Sequence, residues 1–369
     1  MFSINMLQLL KACIRNLNIK NLLNPVKWQT LQKILTQTIQ AKRKKAKNLR
    51  IYKFSQGVGV SNRVSISTEF EEDIYKVAQE CLSKFGYYPI SFSHPKKFGE
   101  NNQEKLFSVS RIIPYEKYSF DIEAEYLQQY ESAFLGITQK KAGWDCFRHL
   151  EILGAGSAPL FLGTKSIPRF TMVHYPKKFM KLAETNFLRN RLVPDLNSLK
   201  KLTEYANAHL TCEAMCKYFS NVADIKITEN DTILFIDSTI SHSCDYLSVF
   251  NFIGLKRVYG NQVISEFPEP DYVFTDTAVD TQKLYGRGFG YTRTLIRQES
   301  VEKHSGLVKY VVISNLQKDR NLIEIYSKRY PEAHFLVFWG ADEGIPEMTL
   351  KIVETLTKYS LFVREIVSL

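Results

Sequence analysis

The chain has 369 residues, 44% of them apolar and 24% charged, ordinary values for a folded globular protein that exclude a low-complexity polymer. The net charge of +11 is concentrated at one end: residues 1–50 carry eleven Lys or Arg and no Asp or Glu, which leaves 38 of each sign beyond them. The basic character therefore belongs to a leading segment and not to the body, whose length favours two domains of about 150 residues each.

In that segment Met6, Leu7, Leu10, Cys13, Ile14, Leu17 and Leu22 recur at helical spacing. Asn24 and Pro25 read as the cap and first turn of a second helix carrying Trp28, Leu31, Ile34, Leu35 and Ile39, which runs into the basic stretch Lys42–Lys47. A basic amphipathic helix with a polybasic flank suits an anionic membrane surface. A helix docked on the body with a solvated basic face is the competing reading. Nucleic acid is not an expected partner, because no reading motif accompanies the charge. No run approaches the roughly 18 to 20 apolar residues of a spanning helix. Lys11, Arg15 and Lys20 interrupt the apolar start, so it does not read as a signal peptide. The expected location is the cytoplasm, with the tail at the cytoplasmic membrane face.

Six cysteines are scattered along the chain, and only Cys212 and Cys216 are close. No other Cys or His pair completes a zinc-like spacing, so reduced thiols are expected and a metal is not.

Ser132–Gln139 has strand character, Lys140-Lys141-Ala142-Gly143-Trp144 reads as a basic turn, and Asp145–Leu153 reads as a helix with Asp145 as its N-cap. Gly154-Ala155-Gly156 ends the helix, and Ala158–Leu162 is a buried strand. This strand–loop–helix–strand unit belongs to an open α/β sheet, which binds ligands at the carboxyl ends of its strands. A helix N-terminus beside Lys140 and Lys141 suits a diphosphate, whose departure develops negative charge. Arg148 and Glu151 share a helix face, where a carboxylate can accept the ribose hydroxyls of a nucleotide. A surface helix with an Arg–Glu pair and a solvated basic loop is the plainer alternative.

The run Ser132–Phe161, SAFLGITQKKAGWDCFRHLEILGAGSAPLF, resembles the donor-binding motif of exostosin-like glycosyltransferases of the GT-B fold. The likeness continues through Pro168, Thr171 and Pro176-Lys177. It implies that Glu151 binds the donor ribose, that Arg148 with Lys140 or Lys141 holds the phosphates, and that His149 contacts phosphate or sugar. Trp144 and Asp145 belong to the same donor loop, and Gly154 and Gly156 would let the backbone approach the nucleotide. Gly143 stands where many retaining GT-B enzymes have a second Glu, so the stereochemistry stays open. No Asp-x-Asp triplet occurs, which favours leaving-group stabilisation without a metal. No cofactor is expected beyond the nucleotide sugar as substrate.

In the second half Thr232–Asp237, Asp271–Asp276, Lys309–Ser314 and His334–Trp339 read as strands. A helix is expected from near Tyr246, and Asp319–Tyr330 and Glu347–Arg364 have helical periodicity. Alternating strands and helices mean a second parallel α/β unit. Asp245-Tyr246-Leu247, Leu284–Phe289 and Gly340–Glu343 are similar to segments of the acceptor-side Rossmann domain of the same group. That domain normally comes first, whereas here it follows, an order that implies a circular permutation or a unit cut from a tandem array. Expected are a basic helical extension over 1–50, a nucleotide-sugar donor-binding domain over 51–220 and an acceptor-side Rossmann-like domain over 221–369, the two domains facing a GT-B cleft.

His242 and Asp245 follow the first strand of the second half, where a base for the acceptor hydroxyl belongs; equally, Asp245 caps its helix and His242 is an ordinary loop residue. Arg287 and Asp342 are acceptor-side candidates or turn residues. The expected activity is sugar transfer to a glycan, lipid-linked or protein acceptor. The alternative is a non-catalytic GT-B-like module that binds a glycan or a partner.

Overall fold

Short runs rich in Val, Ile, Leu and Phe build the strands, and amphipathic segments between them build the helices. The computed structural model describes residues 62–67, 72–99, 104–112, 114, 120–297 and 306–366. The two helices expected in residues 1–50 lie outside the described residues. In chain order the elements are β1 (Arg63–Val64), α1 (Ile74–Phe85), β2 (Tyr88–Pro89), β3 (Phe107–Val109), α2 (Glu123–Glu131), β4 (Ala133–Thr138), α3 (Phe147–Gly154), β5 (Ala158–Phe161), α4 (Lys177–Asn190), β6 (Val193–Pro194), α5 (Leu196–His209) and α6 (Cys212–Val222). There follow β7 (Asp231–Ile236), α7 (Tyr246–Tyr259), β8 (Val263–Ser265), β9 (Leu307–Ile313), α8 (Leu316–Asp319), α9 (Leu322–Arg329), β10 (His334–Trp339), α10 (Glu347–Val353) and β11 (Tyr359–Val363).

The protein is α/β and its sheets are parallel. One sheet has six strands in the order β2-β11-β10-β9-β7-β8, a second has three in the order β3-β4-β5, and β1 pairs with β6. Burial on both faces explains why β7, β10 and β11 are nearly continuous apolar runs. On one face of the large sheet Leu234, Ile236, Val311, Ile313, Val337 and Val363 pack with Val77 of α1, Ile323 of α9 and Val353 of α10. On the other, Phe235 meets Phe252 of α7 at 5.2 Å and Phe338 meets Phe219 of α6 at 5.3 Å. Helices on both faces of a parallel sheet are compatible with a Rossmann-like arrangement.

The large sheet recruits residues far away in sequence. Tyr88–Pro89 pair with Phe362–Val363, and α6 lies so close to α7 that a Cβ at Gly254 would stand 2.5 Å from the Cys212 carbonyl oxygen. Residues from Gln56 to Leu369 form one compact unit.

Several elements differ from expectation. Asp271–Asp276 is not a strand but begins with a 3-10 turn. Arg297 binds Asp271 at 2.8 Å and Asp276 at 3.2 Å, two positions that a strand would hold about 17 Å apart. The helical periodicity of Glu347–Arg364 conceals a helix that ends at Val353 and a strand that starts at Tyr359; short buried apolar runs do not distinguish the two by period. Asp319–Tyr330 divides into the end of α8 and the separate helix α9. The Ser132–Leu162 unit has the expected strand–loop–helix–strand order, with α3 beginning two residues later than expected.

Candidate functional site

A cleft of about 950 Å³ opens where the strands end. Lys141–Gly143 and Asp145–Arg148 follow β4, Cys244–Tyr246 follow β7, Gln317 follows β9, Gly340–Glu343 follow β10 and Arg364 follows β11. The carboxyl ends of both larger sheets thus contribute to one cavity, where open α/β sheets bind ligands. Phe92, Phe147, Tyr246 and Tyr285 add an aromatic surface.

Gly136 on β4 lets α3 lie against the strand, because a Cβ there would stand 2.7 Å from Ile152. This close packing aims the N-terminus of α3 into the cleft. Arg148 and Glu151 both line it and both are nearly buried. Tyr126 of α2 donates a 2.8 Å hydrogen bond to Glu151 Oε2. Burial raises the Glu151 pKa, while Arg148 and the Tyr126 hydroxyl oppose the shift. Lys141 also lines the cleft; desolvation there and then the Arg148 charge lower its pKa. Two cations, a helix N-terminus and a carboxylate one turn along suit an anionic group bearing vicinal hydroxyls.

Other donor-side candidates lie elsewhere. Lys140 is exposed and lies over the Trp144 ring, 4.9 Å from its centre, and Trp144 in turn stacks on Phe161 at 6.2 Å. Neither residue lines the cleft. His149 is fully buried behind the loop. Its Nε2 faces the Trp144 carbonyl and its Nδ1 the Thr138 hydroxyl, each at 2.9 Å. The carbonyl accepts only, so Nε2 carries the proton, Nδ1 accepts, and the ring pins the loop after β4 to the end of that strand. Burial pushes its pKa down to about 4, which keeps it neutral. Gly154 and Gly156 lie at the far end of α3, roughly 12 Å of helix from its start. Gly156 has φ 67° and its carbonyl accepts from the Lys105 ammonium at 2.9 Å. These glycines serve the chain reversal into β5 rather than the cleft.

Asp145 lines the cleft but does not cap α3. Cys146 holds the N-cap position with no side-chain bond, and the Asp145 carboxylate instead accepts from the Phe92 amide at 2.6 Å and the Tyr175 hydroxyl at 2.9 Å. Burial raises its pKa against the pull of Arg364.

On the opposite wall, Asp245 lines the cleft and caps α7, accepting from the Ser248 amide at 3.0 Å; burial raises its pKa. His242 is exposed on the preceding turn and is not part of the cleft lining. Asp342 lines the cleft and pairs with Arg364 at 2.5 Å. Arg287, at φ 59°, turns away from the cleft and binds the Phe120 carbonyl and the Asp121 carboxylate.

Arg364 and Glu365 are not among the site residues expected from sequence, yet they organise the back of the site. The fully buried Arg364 guanidinium binds Asp342, the Gly340 carbonyl at 2.9 Å and the Asp145 carbonyl at 2.7 Å, and lies 4.3 Å from the centre of the Phe92 ring. Glu365 Oε1 accepts from Arg364 and from the Asp145 amide, both at 2.9 Å, while Oε2 is buried without a partner. Charged residues directly after a strand usually meet solvent, so nothing local marks these two. Tyr126 is equally inconspicuous, since Tyr126 and Tyr130 at helical spacing read as core.

Comparison of the chain with protein-family models, with curated proteins and with solved structures finds no match. Among the described residues no group of three or more His, Cys, Asp or Glu is arranged to hold a metal, and no helix is long and apolar enough to cross a membrane.

Proposed function

We propose that the protein is a glycosyltransferase of the GT-B type that binds a nucleotide-sugar donor on the α3 side of the cleft and a sugar acceptor on the α7 side. The observation that carries this reading is the meeting of Lys141, Arg148 and Glu151 with Asp245 and Gly340–Glu343 across one cavity at the carboxyl ends of two parallel sheets. The exostosin-like run Ser132–Phe161 is consistent with it.

On this reading Glu151, oriented by Tyr126, accepts the ribose hydroxyls. Lys141, Arg148 and the first amides of α3 neutralise the diphosphate as the glycosidic bond breaks. Of the two acceptor-side groups expected to take the hydroxyl proton, Asp245 is on the cleft wall, and its raised pKa suits a base working nearer neutrality. A cavity of about 950 Å³ falls in the range of sites that enclose most of a cofactor-sized ligand.

Calorimetric titration of the full chain with UDP and GDP tests the reading. One nucleotide is expected to bind, and Glu151→Ala to weaken it about tenfold, the scale of lost hydrogen bonds to a charged group. A folded wild type that binds neither contradicts the donor site and favours a non-catalytic module.

A further inference from the structure

The Tyr126 hydroxyl is fully buried and its bond to Glu151 is short and direct. What holds Tyr126 is not confined to its own half of the chain. Its ring meets Phe289 at 5.8 Å, and Phe289 comes from the loop after residue 281 in the second half. That loop is fastened to the start of α2 at three points. Arg287 binds the Phe120 carbonyl and the Asp121 carboxylate, the Gln282 side-chain Nε2 donates to the Asp121 carbonyl at 3.1 Å, and the Gly290 backbone amide donates to Glu123 at 3.0 Å. Phe289, Tyr126, Tyr130, Ile152 and Ala155 form one buried apolar cluster, so α2, α3 and the loop share a core. The same loop sends Tyr285 and Gly286 to the cleft.

From this connected path we infer that Tyr126 is a positioning residue for Glu151, seated by Phe289, so that the second half of the chain sets the geometry of the donor-binding carboxylate. The inference rests on the proposed donor site and names what regulates it. Tyr126 does not line the cleft; its hydroxyl directs the carboxylate toward the cleft and favours its charged form. Among the described residues, Arg148, Lys141, Glu123 and the Tyr246 hydroxyl also act on Glu151. Arg148 and Lys141 favour the carboxylate, and Glu123 disfavours it. Removing the Tyr126 hydroxyl alone leaves these unchanged and takes away one stabilising donor.

The test is titration of the full chain with UDP and GDP across about pH 5 to 9, a span covering shifted carboxylates. Wild type, Glu151→Ala, Tyr126→Phe and Phe289→Leu are compared, with thermal melts on each. Tyr126→Phe is expected to keep the fold, weaken the bound nucleotide about five- to tenfold and move the acid limb of the affinity profile to higher pH. Phe289→Leu is expected to shift it in the same direction by less, and it carries the readout if Tyr126→Phe does not fold. If wild type binds and Glu151→Ala weakens binding while Tyr126→Phe and Phe289→Leu alter only the melting temperature, the positioning role is overturned and the donor site stands. If wild type binds neither nucleotide, the donor site falls and this inference with it.

Discussion

Glu365 accepts a hydrogen bond from the Asp145 amide at 2.9 Å, joining residues 220 positions apart. Through it the end of the large sheet holds the loop between β4 and α3. Arg364 reinforces the link from the same strand end by binding the Asp145 carbonyl. That loop is therefore shaped from the opposite half of the chain.

Gly143 is the most constrained point of that loop. A Cβ there would stand 2.6 Å from Glu365 Oε1, 2.7 Å from Asp342 Oδ1 and 3.1 Å from Arg364 Nη1. The backbone of Gly143 does not have positive φ, so the constraint is space and not conformation. Gly143→Ala is expected to destabilise the fold by about 1–3 kcal/mol, the usual cost of overpacking, and to weaken nucleotide binding. Chemical denaturation checks the first effect; a change within error would show that Glu365 can withdraw from the loop.

Burial pushes the Glu365 carboxyl up to about 7, with Arg364 opposing. The folded state holds this proton more tightly than the unfolded chain, so the group contributes stability at low pH and loses it as pH rises from about 4.5 toward 7. The slope is about 1.4 kcal/mol per pH unit at most. His94, His149 and His174, whose pKa values burial lowers to about 4, about 4 and about 3, act in the opposite sense: each loses stability as pH falls below about 6.5. Comparing wild type with Glu365→Gln isolates the carboxyl. The stability difference between the two is expected to change across pH 4.5 to 7 and to level off on both sides. A constant difference would mean that the folded state holds the Glu365 proton no more tightly than the unfolded chain does.

Substitution separates the capping of α7 by Asp245 from its proposed role as the base. Asp245→Ala removes the cap of α7 and is expected to cost about 1 kcal/mol. Asp245→Asn retains a capping oxygen, so its stability should stay close to wild type while transfer activity falls by 100-fold or more, roughly the lower end of what a positioned base contributes. His242→Ala, on an exposed turn, is expected to leave activity unchanged. If His242→Ala abolishes transfer and Asp245→Asn does not, the base has been misassigned.

Lys141 and Arg148 bring positive charge to the α3 side of the cleft, so on the proposed reading nucleotide affinity is expected to be insensitive to a chelator and to fall with added salt. Isothermal titration with and without chelator reads this out. Loss of binding on chelation would require a cation that these side chains do not replace.

The local part of the site is legible in the sequence. The run from Ala133 to Phe161 contains a strand, a turn, a helix and a strand in patterns that neighbours alone decide. Distant contacts decide what is not legible. Asp145 looks like a cap but spends its carboxylate on Phe92 and Tyr175. The resemblance implies that His149 contacts phosphate or sugar, whereas the Trp144 carbonyl and the Thr138 hydroxyl take both ring nitrogens. Tyr88–Pro89 joins the large sheet only through β11, more than 270 residues later in the chain. The charged pair Arg364–Glu365 becomes visible as part of the site only when that sheet brings it beside the donor loop.

The most direct test of the central claim is hydrogen exchange of the full chain with and without the nucleotide that binds. Slowed exchange is expected for backbone amides in residues 139–151, around the start of α3, with smaller protection across the cleft at 244–246 and 340–343. Protection confined to other surfaces, with residues 139–151 unchanged at saturation, would contradict a donor site built on Lys141, Arg148 and Glu151.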